Sequence, residues 1–163
     1  MSGIEPDRTK RSCIDIVALH GGDESMVFVE MMLTMYSLWA GSLGLSFKVI
    51  EPKRTTIGRS VRRARLQIDG VDPAWLGERE NGVHSMIRIP EGETRRHMSF
   101  VGIRVSGSAN APLPKAQDDW GEQIRSLITA PYQSLTNRRS GFVCHDTARV
   151  LAGDLDRFWQ ERP

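Results

Sequence analysis

The sequence has little that would mark a secreted, membrane-bound or metal-dependent protein. Two cysteines in 163 residues are too few to frame a disulfide-stapled fold. Cys13 and Cys144 sit in apolar, strand-like settings and read as buried free thiols of a reducing compartment. No apolar run approaches the ~18 residues of a membrane span. The opening MSGIEPDRTKRS is polar and charged, without the apolar centre of a signal peptide. Residues 1–11 are therefore expected to form a flexible arm, and the cytoplasm is the expected compartment. The Gly21-Gly22 pair has no Gly-Lys-Ser/Thr after it, and Asp23 and Glu24 would repel a phosphate there. His20, His84, His97 and His145 show no zinc-site spacing with the cysteines. No nucleophile elbow or nucleotide-binding fingerprint appears. No metal, cofactor or catalytic residue is expected, and the chain is not expected to be an enzyme.

The composition itself is ordinary, 39% hydrophobic and 26% charged, and a single domain of this length buries roughly 70% of its extended surface. The net charge is only +2, but it is unevenly spread. Lys53 to Arg65 (KRTTIGRSVRRAR) is basic without an acid, and the pairs Arg95-Arg96 and Arg138-Arg139 add two smaller clusters. Acids gather in DDWGE and DLDRFWQE. One basic cluster is usually a solvated face; three on a small domain point to an anionic partner such as RNA.

Hydrophobic periodicity predicts an α+β fold. Cys13 to Leu19 alternates as a strand, and HGGDES then turns the chain into a helix capped by Asp23 or Ser25 and running to about Leu43. Val29, Met32, Tyr36, Trp39 and Leu43 form its core-facing stripe; the methionines (Met26, Met31, Met32, Met35) read as core packing, and Gly44 ends the helix. SFKVIE and VRRARLQIDG follow as strands. In the second, Ala64, Leu66 and Ile68 share one face and Arg63, Arg65 and Gln67 the other, as in a sheet wet on one side. DPAWLGERE reads as a turn or short helix. Ser106 to Asp119 (SGSANAPLPKAQDD) has no periodicity and reads as a linker. Two further strands are expected in WGEQIRSLITAPYQ and RRSGFVCH, then two short helices opened by aspartate caps, with Gly153 between them. The whole is a mostly antiparallel sheet packed against one long helix, with two short C-terminal helices.

The segment ENGVHSMIRIPEGETRRHMSF, residues 80–100, is a hairpin that gathers two histidines and three arginines about its turn. A lone histidine on a strand is most simply a hydrogen-bonded structural group. Taken in order, however, GGDE before a long helix, then ENGVH, RRHMSF, WGEQIRS and AGDLDRFW closely resemble bacterial peptide chain release factors, most of all the type that reads UGA and UAA. The resemblance runs from about Ser12 to the end and implies the decoding superdomain, which occupies the small-subunit part of the ribosomal A site. Residues 12–163 would then be one decoding domain.

The resemblance also implies what is missing. The family inserts its catalytic domain, bearing a Gly-Gly-Gln loop, between the strand ending near Val105 and the segment beginning near Trp120. Here residues 106–119 stand in its place, and no Gly-Gly-Gln occurs in the 163 residues. The family's N-terminal helical domain has no counterpart either. By resemblance, Gly21 and Glu24 match helix-tip residues that contact the first uridine, and His97 matches a histidine that stacks on codon bases. Arg63, Arg65, Arg95 and Arg96 would meet phosphates. Two departures weaken or remove stop-codon discrimination: the family's Ser-Pro-Phe is replaced by the acidic turn IPEGE, and the threonine after the histidine is Met98, which has no hydroxyl.

The expectation is a release-factor-like protein without peptidyl-tRNA hydrolysis, binding the ribosomal decoding region. One alternative is a non-ribosomal RNA-binding protein. The other is an interaction module that recruits a separate chain with the catalytic loop.

Overall fold

A computed structural model describes residues 7, 9–52, 61–130 and 132–159. Strand β1 (Arg11–His20) turns Ile14, Ile16 and Ala18 to one side, where they are buried. Gly21 and Gly22 lead into helix α1 (Asp23–Ser42), whose 20 residues run about 30 Å at the usual helical rise. Phe28, Val29, Met32, Met35, Tyr36 and Trp39 recur at helical spacing along its buried side, and Leu43, Met26 and Met31 are half-buried at its margins. The helix ends as expected at Gly44, whose φ of 71° is left-handed and favours glycine.

Its start corrects the expectation. The N-cap is Gly22, with φ 59°, and no side chain caps the helix. Asp23 is already helical, and the Ser25 hydroxyl donates back to the Gly22 carbonyl at 2.6 Å. A glycine at this corner lets the chain turn sharply enough to set the helix tip against the sheet. Asp23 and Glu24 still occupy the first turn, where carboxylates suit the positive end of the helix dipole.

After β2 (Ser46–Glu51) and β3 (Arg63–Asp69) come helix α2 (Pro73–Glu80), capped by the Asp72 carboxylate on the Ala74 amide at 3.1 Å, and the hairpin β4 (Gly82–Arg88) and β5 (His97–Ser106). Then follow β6 (Gln123–Ile128), β7 (Ser134–Asn137), β8 (Val143–Cys144) and helices α3 (Thr147–Leu151) and α4 (Leu155–Trp159). The eight strands form one sheet in the order β2-β3-β1-β5-β4-β6-β7-β8. Neighbours are antiparallel except β4 and β6, which run parallel. Helix α1 covers one face, over Ile14, Ile16, Ala64, Leu66, Ile68, Val101 and Ile103.

Three details differ from the sequence expectation. β7 lies in SLTN, between the two expected strands, while RRSGFVCH contributes only the two residues of β8 around a turn. SLTN is too short to show alternation; its pairing with β6 makes it a strand. Asp146 stands at the cap of α3 but its side chain makes no capping bond. The face opposite α1 is wet along Arg63 but not at its centre: Cys13 and Asp15 are buried there, and Trp120 lies flat against Gly102. A β-carbon on Gly102 would stand 2.4 Å from the Trp120 ring, so only glycine admits that ring. Cys13 and Cys144 are both buried and free.

Candidate RNA-binding site

The β4–β5 hairpin pairs His97 with Arg88 and Met98 with Ile87 next to its turn. The tip of α1 is pressed onto the same place. A β-carbon on Gly21, whose φ is 114°, would stand 2.7 Å from the Met98 carbonyl oxygen and from the Ser99 Cα. Glu24 and Arg88 form a two-point ion pair, Nη2 to Oε1 at 2.9 Å and Nε to Oε2. The hydrogen bonds to Glu24 raise the Arg88 guanidinium above its ordinary pKa. The fold thus brings Gly21, Glu24 and His97 to one end of the sheet, as a single constellation. It also engages the Glu24 carboxylate with a cation, which leaves the helix tip less repulsive to an anion than the sequence implies.

Arg95 and Arg96 are exposed in the turn beside them. With Ile87, Thr94, His97 and Met98 they line an open concavity of about 530 Å³. The His97 ring is held at its Nε2 by the Glu93 carboxylate, 3.0 Å away across the turn. The turn therefore gathers exposed cations, an apolar patch of Ile87 and Met98 on one side of the hairpin and one oriented aromatic ring on the other, the elements that unpaired RNA bases and their phosphates require.

Arg63 and Arg65 are placed elsewhere, on β3, with β1 between that strand and β5. Arg65 donates to Asp15 at 2.7 Å and is only 14% exposed; burial lifts the Asp15 carboxyl above its usual range even against the pull of Arg65. Arg63 lies 3.4 Å from Glu51. Arg139 pairs with Glu122 at 2.7 Å and reaches the Glu78 carbonyl. The rest of the basic run, Lys53–Ser60, lies outside the described residues.

The remaining motif residues build a buried polar knot behind the hairpin. Arg125, from WGEQIRS, donates Nη1 to Glu80 Oε1 at 2.7 Å and Nη2 to Glu80 Oε2 at 3.0 Å. Tyr36 of α1 donates to Glu80 at 2.5 Å, and the Trp159 indole of α4 donates to it at 2.8 Å. The Arg125 guanidinium stacks 3.8 Å over the Phe158 ring. Burial alone would raise the Glu80 carboxyl, but the charge of Arg125 and these donors carry it below its ordinary value. Arg125 Nη1 also meets His84 Nδ1 at 3.0 Å. That nitrogen must therefore be the acceptor, and the ring proton sits on Nε2, donated to the Glu80 carbonyl at 2.9 Å. Burial and then the Arg125 charge push His84 down to about 4, so it is a neutral structural group. Asn81 accepts the Val105 amide at 2.7 Å, and Gln123 donates to Ser85 at 2.5 Å. Reading the sequence missed Arg125 and Glu80, because the two stand 45 positions apart and no local pattern pairs them.

Comparison with known proteins bears on the family and the fold. A profile described as the PCRF domain matches residues 1–103. Peptide chain release factor 2 of Phenylobacterium zucineum is 25% identical over 232 residues, covering 89% of this chain and 62% of the relative. That alignment is longer than the chain itself, so the relative holds residues with no counterpart here. Peptide chain release factor 1 of Paracoccus denitrificans is 35% identical over 98 residues, 60% of this chain and 26% of the relative. Among solved structures, RF2 of Thermus thermophilus superposes with a TM-score of 0.72 at 20% identity, over 91% of this chain and 66% of that one. The chain thus spans less than two thirds of each of these relatives, and the structural match speaks for the fold alone. By the profile match over most of its length, the chain belongs to the PCRF domain family, in which its relatives are bacterial peptide chain release factors 1 and 2.

Proposed function

We propose that this chain is a release-factor-like protein of translation that binds the small-subunit decoding region of the ribosome without hydrolysing peptidyl-tRNA. The observation that carries the reading is the meeting of the α1 tip with the β4–β5 turn, which sets Gly21, Glu24, Arg95, Arg96 and His97 around one end of the sheet. A flat ring and exposed arginines at one hairpin turn suit unpaired RNA. Arg63 and Arg65 contribute less to this surface, since both already have carboxylate partners.

The missing hydrolysis rests on the stretch between β5 and β6. β5 ends and β6 begins at the same end of the sheet, separated by β4 alone, a gap of roughly 10 Å at ordinary strand spacing. A short linker such as residues 106–119 closes that gap without disturbing the sheet, so an inserted catalytic domain is dispensable for the fold. The linker, with residues 12–163 as one decoding domain, replaces it on this reading. No Gly-Gly-Gln occurs in the 163 residues. Among the described residues no helix is long and apolar enough to cross a membrane, and a cytoplasmic site of action fits a ribosomal partner.

Co-sedimentation with ribosomes, paired with a peptide-release assay on UAA- and UGA-programmed complexes, tests both halves. The protein should pellet with ribosomes and release no peptide above the no-factor control. Release by the purified chain alone would overturn the second half. Failure to pellet, with retained binding to free RNA, would move the partner to another transcript; failure of both would favour a protein partner that supplies a catalytic domain.

A further inference from the structure

The hairpin offers two different sides. Strand alternation sends His97 and Arg88 to the side where α1 begins, and Met98 and Ile87 to the opposite, open side. On that open side the register continues into β6: Met98 is opposite Ile87, and Ile87 is opposite Ile128. Three unbranched or β-branched apolar side chains therefore stand in one row across β5, β4 and β6. Met98 is 49% exposed, and the two isoleucines are half-buried. The row exists only because β6 returns parallel beside β4 after residues 106–119. At one end of it stand Arg95 and Arg96, exposed in the turn.

A flat apolar row about two strand spacings wide is large enough for one nucleobase to lie against it, and methionine is polarizable and adaptable in such contacts. The three row residues carry no hydrogen-bonding side chain, and the next position across the sheet, Ser134 of β7 opposite Ile128, is buried. His97 lies across the hairpin with its Nε2 engaged by Glu93, and Thr94 lines the same concavity from the turn, at the row's arginine end. Telling one base from another requires donors and acceptors aimed at the base edge, and contact with the face alone is tolerant of sequence because every base has one. The adjacent arginines favour a base that brings its phosphates with it over an uncharged apolar partner.

We infer that the row Met98–Ile87–Ile128 is a platform that takes the face of one unpaired RNA base without reading its edge, while Arg95 and Arg96 hold the flanking phosphates. The inference rests on the RNA-binding reading above and adds that the chain occupies its site whatever base is presented. It predicts engagement of ribosomes at stop and sense codons alike.

The test uses the full chain in two arms. In the first, dissociation constants are measured for ribosomes carrying UAA, UGA or either of two sense codons in the A site. In the second, they are measured at low salt for oligoadenosine and oligoinosine, whose bases stack similarly but present different edges. All constants within an arm should agree to about threefold, as face-only contact allows. Met98→Ala should weaken every ligand of an arm by the same factor, severalfold, with an unchanged melting temperature. A spread of about tenfold or more in either arm, the size of one edge-reading contact, would overturn the inference and leave ribosome binding standing. Equal constants for the oligonucleotides without ribosome binding would uphold the platform and overturn the ribosomal partner. No binding in either arm, or binding indifferent to Met98→Ala, would overturn the platform.

Discussion

The Arg125 guanidinium and the Glu80 carboxylate meet in a two-point ion pair with 1% and 0% of their side chains exposed. The pair ties the strand that follows residues 106–119 to the helix that precedes the hairpin, and Tyr36 and Trp159 add α1 and α4 to the same carboxylate. Removing one member of such a pair strands a charge in the core. Arg125→Met should therefore lower the unfolding free energy by about 3–5 kcal/mol. Urea denaturation checks this, and a loss below about 1 kcal/mol would mean that the knot does not hold the two parts together. The double change with Glu80→Gln should cost less than the two single changes summed, because the residues share one network.

His84 gives the protein a pH dependence of predictable sign. Its folded pKa of about 4 lies below the ordinary 6.5, so the unfolded chain binds the proton first as pH falls. The stability that this neutral imidazole contributes is whole above pH 6.5, declines between 6.5 and 4, and is lost below 4. At ~1.4 kcal/mol per pH unit the loss is roughly 3 kcal/mol. Carboxylates also titrate toward the lower end of that window, so the measurement is the difference between wild type and His84→Gln. The glutamine can accept from Arg125 and donate to the Glu80 carbonyl but cannot titrate. Its stability curve should be flatter between pH 6.5 and 4, and parallel curves would refute the assignment.

The arginines should sort into two classes. Arg65 is bound to buried Asp15, so Arg65→Ala should lower the melting temperature by stranding that carboxylate, with a smaller effect on RNA affinity. Arg95 and Arg96 are exposed at the concavity. Arg95→Ala and Arg96→Ala should leave stability within about 0.5 kcal/mol and each reduce the slope of log affinity against log salt by ~0.7, the value for one contact to a single strand. Measuring melting temperature and salt dependence for the three variants separates the classes; a reversed pattern would relocate the RNA surface to β3.

Gly21 couples helix tip and hairpin by proximity alone. Gly21→Ala places a β-carbon 2.7 Å from β5 backbone and at a φ that L-residues avoid. Stability should fall by about 1–3 kcal/mol, and RNA affinity should fall further than stability explains, because the tip must move off the hairpin. Gly22→Ala makes a fair comparison: its φ of 59° is also left-handed, but nothing lies within 4 Å of the added carbon. Equal affinity losses in the two variants would show that approach to β5 is not what matters.

Much of this was written in short-range pattern. The stripe Val29, Met32, Tyr36, Trp39 predicts the long helix, and Ala64, Leu66, Ile68 against Arg63, Arg65, Gln67 predicts β3, because burial of one face imposes periods that are visible within ten residues. The motif order from GGDE to AGDLDRFW places the chain among release-factor relatives, and the basic pair in the hairpin turn marks Arg95 and Arg96. Sequence alone also suffices for the absence of Gly-Gly-Gln, a matter of composition rather than of contact.

Other features depend on residues far apart in the chain, for which no local pattern exists. Arg125 meets Glu80 across 45 positions, Glu24 meets Arg88 across 64, and Arg65, a candidate phosphate contact in the sequence, turns out to be held by Asp15. Each pairing follows from which strands and helices become neighbours and in which direction they run, and the parallel seating of β6 on β4 is the step that local alternation does not specify. Hydrophobic periodicity tells each segment which face to bury; only the packed sheet tells a charge which partner it has, since a charge that leaves water takes the nearest opposite one the fold supplies.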